Sequence, residues 1–335
     1  MASASDDVSV GAGPVRLAPP PKAPGIVEPA TIDEAARVFA EAAAEGWTVS
    51  IDRSGGGVVL STVRLDRILE FEAGDLTASV EAGIRLSVLN RRLAEQGQML
   101  ALDPPGDPTI GACLAGSLSG PRRHRYGAPR DLLLGVTVVL ADGTVASAGG
   151  KVVKNVAGYD LGKLFCGSEG RFGLIARASL RLHPLPDGER TLVVPVAGAT
   201  EAFTVAQQLH HSTLIPSAVD LLWRRAGGSR LAVLFEGSER AVAAQLETAR
   251  ELLGGEEGRG GEWDEARAWQ ARAQGRISFP PGGLVQTLHT LDEALVRPGL
   301  GIAYTSEPLR EEGDAGARLL AERVRAALDP GGVLV

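Results

Sequence analysis

The segment GGKVVKNVAGYDLGKLFCGSEGRFGLI, residues 149–175, decides the fold of this chain. Glycine is required where the backbone takes a positive φ angle or lies against a bulky, rigid group. Backbone N–H groups in such loops donate hydrogen bonds to carbonyl, phosphate and ring-nitrogen acceptors. Any one of these glycines is most simply part of a tight turn. Their density before an apolar strand, however, indicates a backbone moulded around a large cofactor.

Three further segments extend this pattern in both directions. They read LDRILEFEAGDLTASVEAG (65–83), DPPGDPTIGACLAGSLSGPRRHRYGAPRDLLLGVTVVLADG (103–143) and LRLHPLP (180–186). Together with residues 149–175 they resemble the flavin-binding segment of the vanillyl-alcohol-oxidase, or PCMH-type, FAD proteins. Within those proteins the chain is most similar to the FAD-binding subunit of bacterial glycolate oxidase (glycolate dehydrogenase).

The resemblance implies an α+β fold in which a PCMH-type FAD-binding domain of two α/β subdomains carries an inserted α+β cap domain. We therefore expect a disordered lead-in over 1–25, the FAD-binding domain over 26–188 and the cap domain over 189–297. Residues 298–335 would return to the FAD-binding domain, as the C-terminus does in the resembled family.

Local signals place several elements without the resemblance. Thr31 and Glu34 form a capping box that opens a helix, and Gly46 closes it. Asp142-Gly143 lies between two β-prone runs and predicts a hairpin over 132–148. The irregular segment 103–131 is long for a loop inside a compact domain, which is typical of a functional loop. A last helix is predicted over 311–328.

Composition excludes several classes of protein. The net charge of −7 argues against binding to nucleic acid, and two cysteines are too few for an iron–sulfur site. No apolar run approaches the ~18–20 residues of a membrane span. The N-terminal residues lack the pattern of a signal peptide, so a cytoplasmic protein is predicted. The basic run 122–125 is either a solvated turn or a surface for a phosphate or an acidic partner.

Glycines and hydroxyl side chains mark the predicted contacts to FAD. The first loop, Arg53-Ser54-Gly55-Gly56-Gly57, and the second, Thr109 to Gly120, would supply donors to the diphosphate. The resemblance adds support from Tyr126 to Asp131, where a turn or cap role for Asp131 is equally open. The full set is Arg53, Ser54, Gly55, Gly56, Gly57, Thr109, Ile110, Gly111, Ala112, Ser117, Ser119, Gly120, Tyr126, Gly127, Asp131, Gly158, Tyr159, Asp160, Gly167, Ser168, Gly170, Gly173 and Ile175.

Two departures from the resembled family concern the cofactor. The family has about ten more residues after the first glycine loop, whereas here Gly57 runs directly into the next strand, which shortens one wall of the diphosphate site. Arg171 stands where a small threonine is usual, and it could crowd the cofactor or point to solvent. Because Gly57 replaces the histidine that some relatives use for attachment, FAD is expected to be bound non-covalently.

The substrate side offers few candidate residues. His289 is a weak candidate for a catalytic base, and a hydrogen-bonded core histidine is the commoner reading of such a residue. The remaining histidines do not form a metal-ligand pattern, so no metal site is predicted. The spacing of Gly167, Gly170 and Gly173 does not fit a dinucleotide-binding GxGxxG motif.

Two hypotheses follow. In the first, the chain is an FAD-dependent oxidoreductase subunit that acts on a small 2-hydroxy acid with a larger FAD-containing catalytic subunit and an iron–sulfur subunit. It would be cytoplasmic, or peripheral to the inner face of the membrane through those partners. In the second, the chain is a structural subunit that keeps the fold but binds FAD weakly or not at all.

Overall fold

The computed structural model describes residues 25–53, 55, 57–150, 161–308 and 315–335. Within these ranges the strands form two sheets that build a first domain, a seven-stranded sheet that builds a second, and a two-stranded ribbon. The glycine-rich segment 149–175 lies in the first domain. Its residues 151–160 fall outside the described ranges.

The first subdomain is a small parallel sheet covered by one helix. Its strands pair in the order β1-β3-β2, and α1 packs on it through Phe39, which is fully buried. Thr31 caps α1 by accepting from the Glu34 N–H at 3.2 Å, and Gly46 ends it in the left-handed conformation, as predicted. The elements are β1 (Ile26–Val27), α1 (Ile32–Glu45), β2 (Val49–Ile51) and β3 (Val58–Leu60).

The second subdomain is a five-stranded antiparallel sheet in the order β4-β5-β9-β7-β8. Helices α2 and α3 contribute Leu89, Leu93 and Leu114 to its core. The predicted hairpin is confirmed, because β7 and β8 pair antiparallel from Gly135↔Gly149 to Val139↔Val145. The elements are β4 (Ile68–Glu72), β5 (Thr77–Glu81), α2 (Leu86–Ala94), α3 (Ile110–Ala115), β7 (Leu133–Val139), β8 (Val145–Gly149), α6 (Gly162–Phe165) and β9 (Leu174–Arg181).

The long segment 103–131 is not a featureless loop. It contains α3 and two further one-turn helices, α4 (Arg123–Tyr126) and α5 (Pro129–Leu132). The ribbon of β6 (Gln98–Met99) and β10 (His183–Pro184) lies beside it. Gly120 is held tightly, because a Cβ there would lie 1.8 Å from the Asp103 carbonyl oxygen.

The second domain is a sheet in the order β14-β11-β13-β12-β16-β17-β15 with helices on both faces. Helices α7, α8 and α10 pack on one face, and α9 packs on the other through Trp269. The elements are β11 (Gly188–Val196), α7 (Ala199–His210), β12 (Ala218–Arg224), β13 (Ser229–Gly237), α8 (Glu239–Leu253), β14 (Glu256–Glu257), α9 (Glu262–Arg272), β15 (Gly275–Ser278), α10 (Leu284–Thr290), β16 (Glu293–Arg297) and β17 (Ile302–Thr305).

The predicted return segment 298–335 divides between the domains. Strand β17 pairs with β16 and β15, so it belongs to the second domain. Helix α11 (Ala315–Leu328) packs Val324 and Leu328 against the core of the five-stranded sheet. The chain then adds Leu334 beside Val49 of β2, fixed by the Asp329 carboxylate, which accepts from the Val333 and Leu334 N–H groups.

The basic run 122–125 joins the two domains. The Arg122 side chain donates to the buried Glu236 carboxylate from Nε (2.9 Å) and Nη2 (2.5 Å). Arg125 donates to the Glu236 carbonyl (3.2 Å) and to Ser217 Oγ (3.4 Å). The sequence allowed two interpretations of this run, a solvated turn or a surface for an external anion. Neither describes Arg122 and Arg125, because their partners lie in the second domain of the same chain.

Candidate functional site

A cleft opens between the two sheets of the first domain. One part is a cavity of about 230 Å³ between the end of β2, the helix α3 and the turn that precedes β9. A second cavity of about 530 Å³ continues it along the edge of β3. Asp52, Thr62 and Ala112 line both cavities, so the two form one continuous groove.

The wall of this groove at 170–175 is backbone rather than side chain. Gly170 has φ +80°, and a Cβ there would lie 3.4 Å from the Ile51 side chain. Gly173 has φ +145°, and a Cβ would lie 2.7 Å from the Val139 carbonyl oxygen. Any larger residue would therefore be strained at Gly173 and would narrow the groove at Gly170. Two of the six glycines of the segment 149–175, Gly170 and Gly173, thus line the groove.

The groove gathers part of the predicted cofactor-binding set. The predicted residues that line one or both cavities are Arg53, Thr109, Gly111, Ala112, Gly170, Gly173 and Ile175. Five others, Ser54, Gly56, Gly158, Tyr159 and Asp160, lie outside the described residues.

The first glycine loop does not line the groove as predicted. A Cβ at Gly57 would lie 2.2 Å from the Thr48 carbonyl oxygen, and one at Gly55 would lie 2.9 Å from Ser50. Both glycines are therefore packed against β2. Because Gly57 leads directly into β3, the chain has no extra residues with which to leave the sheet and reach a ligand. Of the described residues of this loop, only Arg53 borders the groove.

Several predicted residues have structural partners instead. Gly120 packs on Asp103, and the Ser119 carbonyl accepts from Gln270 of the second domain at 2.9 Å. The Asp131 carboxylate accepts from the Ala128 N–H at 2.8 Å and so caps α5, which is the cap role left open by the sequence. Tyr126 donates to Glu236 at 3.4 Å.

The remaining predicted residues surround the groove without lining it. Ile110 is fully buried in the core. Ser117 (φ +49°) and Gly167 (φ +80°) are neighbours in tight turns, and Gly127 (φ +86°) ends α4.

Ser168 carries an unsatisfied polar atom next to the groove. Its side chain is buried, and its Oγ has no hydrogen-bond partner among the described residues. A buried hydroxyl without a partner costs about 1–3 kcal/mol. The neighbouring Glu169 and Gly170 line the groove. A ligand with polar atoms at this wall would satisfy the hydroxyl, which fits a cofactor such as FAD.

Sequence reasoning missed a group of lining residues. Asp52 follows β2 and Thr62 follows β3, and ligands commonly bind at the carboxyl ends of parallel strands. That rule could have found both positions. The missed lining residues of the smaller cavity are Ile51, Asp52, Thr62, Ala115, Gly116, Glu169 and Leu174.

The groove has a mixed electrostatic character. The Asp52 carboxylate accepts from the Thr62 N–H (2.7 Å) and Oγ1 (2.5 Å), and Glu169 pairs with Arg171 at 2.5 Å. Arg171 is half exposed, so it points to solvent rather than into the groove. Arg53 donates to the Val335 carbonyl at 3.1 Å, which leaves it beside the groove with its charge directed to the C-terminus.

His289 lies away from this groove. It is exposed on α10, which packs on the face of the seven-stranded sheet opposite to that carrying Glu236 and Tyr304. His183 lies on β10 with its ring 4.8 Å from that of Tyr126, and burial lowers its pKa. Among the residues that the structure describes, no group of three or more histidine, cysteine, aspartate or glutamate side chains could hold a metal ion.

Comparison with known proteins identifies the cofactor class of the first domain. Residues 23–149 match the family described as FAD binding domain. The solved structure of alkyldihydroxyacetonephosphate synthase superimposes with a TM-score of 0.69 at 19% identity, covering 92% of this chain and 75% of that one, which shows a shared fold.

Sequence relatives point to the same class of flavoprotein. The chain is 34% identical over 169 residues to glycolate oxidase subunit GlcD of Bacillus subtilis, covering 50% of this chain and 36% of the relative. It is 33% identical over 210 residues to glycolate oxidase subunit GlcE of Escherichia coli, covering 61% and 56%. It is 34% identical over 158 residues to a mitochondrial D-lactate dehydrogenase (cytochrome) of Saccharomyces cerevisiae, covering 47% and 27%.

Residues 23–149 thus define a PCMH-type FAD-binding domain, and FAD is its cofactor. The chain is similar to the glycolate oxidase subunits GlcD and GlcE over its FAD-binding domain, and the resemblance seen in the sequence is confirmed. It spans 36% of the GlcD relative and 56% of the GlcE relative. In the described part of the chain, no helix is long and apolar enough to cross a membrane.

Proposed function

We propose that this chain is the FAD-binding subunit of an enzyme complex that oxidises a small 2-hydroxy acid, glycolate to glyoxylate, and passes the electrons to a partner subunit. The observation that carries the proposal is the glycine-walled groove between the two sheets of the first domain. The similarity to both GlcD and GlcE supports the choice of reaction.

The described residues that would hold FAD lie on two opposite sides of the groove. Gly170 and Gly173 offer a backbone wall, and Ser168 offers a buried hydroxyl without a partner. Ala112 and Thr109 form the opposite wall at α3. FAD supplies the redox chemistry by accepting the two electrons and two protons that leave when an alcohol becomes a carbonyl. The chain itself binds the cofactor, orients it and excludes water.

The chemistry of the chain is incomplete without partners. Its two cysteines cannot ligate an iron–sulfur cluster, which needs about four thiolates. Cys113 is also buried, which raises the pKa of its thiol to about 12. His289 does not approach the groove. We therefore propose that a larger flavoprotein subunit and an iron–sulfur subunit complete the enzyme, and that the isolated chain turns over glycolate slowly.

The test is to purify the full chain, titrate it with FAD and follow the flavin absorption band. Ser168→Ala is the informative variant, because loss of a bond from its hydroxyl should weaken FAD binding about fivefold or more without lowering the stability of the FAD-free protein. Ser212→Ala in the second domain is a matched control, since its hydroxyl already donates to the Leu209 carbonyl at 2.7 Å.

If the flavin absorption band does not change when the chain is added at saturating FAD, the chain does not bind FAD. That result would contradict the proposal and favour a structural subunit. If FAD binds, addition of glycolate to the chain co-expressed with both partner subunits should bleach the flavin band. Rapid bleaching and turnover by the isolated chain with an artificial electron acceptor would instead make a stand-alone flavoenzyme the better account.

A further inference from the structure

A separate cavity of about 380 Å³ lies at the boundary of the two domains. The first domain contributes Leu118 and two prolines from the segment 103–131. The second domain contributes Gln270 of α9, Arg276 of β15 and Tyr304 of β17. Arg276 and Tyr304 are directly opposite each other on the paired strands, so their side chains share one face of the sheet.

Arg276 brings an uncompensated charge to this cavity. The Arg276 side chain is exposed at the cavity, and its guanidinium makes no ion pair or hydrogen bond with any part of the chain that the structure describes. Burial, and secondly the positive charge of Arg276, lower the pKa of a second arginine, Arg123. Arg123 itself only donates to Ser119 Oγ, at 3.4 Å. Arg276 lines the cavity, whereas Arg123 does not line it and contributes charge from outside its wall.

Nearby carboxylates are already committed elsewhere. Glu236 accepts from Arg122, and Asp220 accepts from Arg297 Nε at 3.1 Å. Asp103 accepts from the Arg122 N–H and lies 3.7 Å from Arg267. The boundary therefore keeps an unpaired positive charge at Arg276, whereas the charge of Arg123 is partly offset by Asp131, in a chain whose net charge is −7.

Tyr304 supplies a neutral donor beside these charges. Its hydroxyl oxygen accepts from Arg297 Nη1 at 3.1 Å and from Gln270 Nε2 at 3.4 Å. With both interactions directed at the oxygen, its own proton has no acceptor among residues within the described ranges. Arg297 and Gln270 are in turn fixed by Asp220 and by the Ser119 carbonyl, so the hydroxyl is held in place. An anion in the cavity would accept its proton.

We propose that Arg276 and the Tyr304 hydroxyl bind the carboxylate of the 2-hydroxy acid substrate, with Arg123 adding charge from the side. Guanidinium groups match carboxylates in geometry and form their strongest hydrogen bonds with them. Leu118, which borders the cavity, packs beside Gly116, which lines the groove proposed for FAD. This assignment rests on the proposed function, and it adds a specificity residue, Arg276, that the sequence did not suggest.

The test uses oxamate, a carboxylate that cannot be oxidised at a hydroxyl carbon, in isothermal titration calorimetry with the purified full chain. Arg276→Gln should weaken oxamate binding at least tenfold. Tyr304→Phe should weaken it about fivefold, and Arg123→Gln less than Arg276→Gln, because Arg123 does not line the cavity. Arg240→Gln, on α8 across the second domain, removes the same charge and should leave binding unchanged. Thermal unfolding of each variant identifies any that fail to fold.

Unchanged oxamate affinity in a folded Arg276→Gln variant would overturn the assignment, as would binding of inorganic phosphate without binding of oxamate. FAD titration of the same proteins separates the two proposals. If the chain binds FAD but Arg276→Gln leaves the oxamate affinity unchanged, only the carboxylate assignment is refuted. If the chain binds oxamate through Arg276 but does not bind FAD, the proposed function is refuted and the carboxylate site is retained.

Discussion

The Arg122–Glu236 pair that joins the domains provides the sharpest stability test. The Glu236 side chain is fully buried, the Arg122 side chain is 27% exposed, and two hydrogen bonds connect them. Arg122→Met removes both donors and leaves the carboxylate with only the Tyr126 hydroxyl at 3.4 Å. Hydrogen bonds to charged groups contribute about 1.5–3 kcal/mol each. Loss of one partner of a buried pair costs about 3–5 kcal/mol, so we expect unfolding free energy to fall by that amount.

The assay is urea unfolding followed by tryptophan fluorescence. Three of the four tryptophans, at 223, 263 and 269, lie in the second domain, so the signal reports mainly on the domain that holds Glu236. The double variant Arg122→Met, Glu236→Leu should recover at least 1 kcal/mol relative to Arg122→Met, because no buried charge remains.

Arg190→Met is the matched control. Arg190 also pairs with two carboxylates, Glu257 at 2.9 Å and Glu239 at 3.7 Å, but all three side chains are exposed by 41% or more. Such surface pairs contribute about 0–1 kcal/mol. If Arg122→Met costs no more than Arg190→Met, or if the double variant is no more stable than Arg122→Met, the pair does not hold the domains together as we argue.

Three further predictions concern pH, the cofactor and His289. Burial raises the pKa of Asp103 from 3.8 to about 7, so the folded state binds its proton more tightly than the unfolded state, and the free energy of unfolding should fall as pH rises from about 4 to 7. Asp103→Asn keeps an acceptor for the Arg122 N–H and should flatten that slope by up to about 1.4 kcal/mol per pH unit in urea unfolding. An unchanged slope would refute the assignment. FAD at a hundredfold excess over its Kd should stabilise the folded chain by about 2.7 kcal/mol, measured as a rise in Tm that is absent with riboflavin at the same concentration if the diphosphate half is needed. His289→Ala should leave FAD affinity and glycolate turnover of the assembled complex unchanged, and a loss of turnover at constant stability would restore His289 as a catalytic candidate.

Local chemistry in the sequence determined much of the first domain. Thr31 and Gly46 bound α1 because capping depends only on residues within one helical turn. Asp142-Gly143 predicted the β7–β8 hairpin because a tight turn fixes the pairing of its flanking strands. The glycines at 170 and 173 indicated a cofactor site because a side chain at either position would be strained or would narrow the groove. Glycine is the residue type without a side chain, so this requirement is visible in the sequence.

Tertiary structure alone decided which residues reach the groove and which join the domains. Gly55 and Gly57 look like Gly170 in the sequence, yet they pack on β2 because no chain length remains for them to leave the sheet. The four residues of the basic run look alike as well. Arg122 donates to Glu236, which lies 114 residues away, whereas Arg123 donates to the nearby Ser119 Oγ. Contacts at such separations depend on how the two domains dock, and a local pattern carries no information about that.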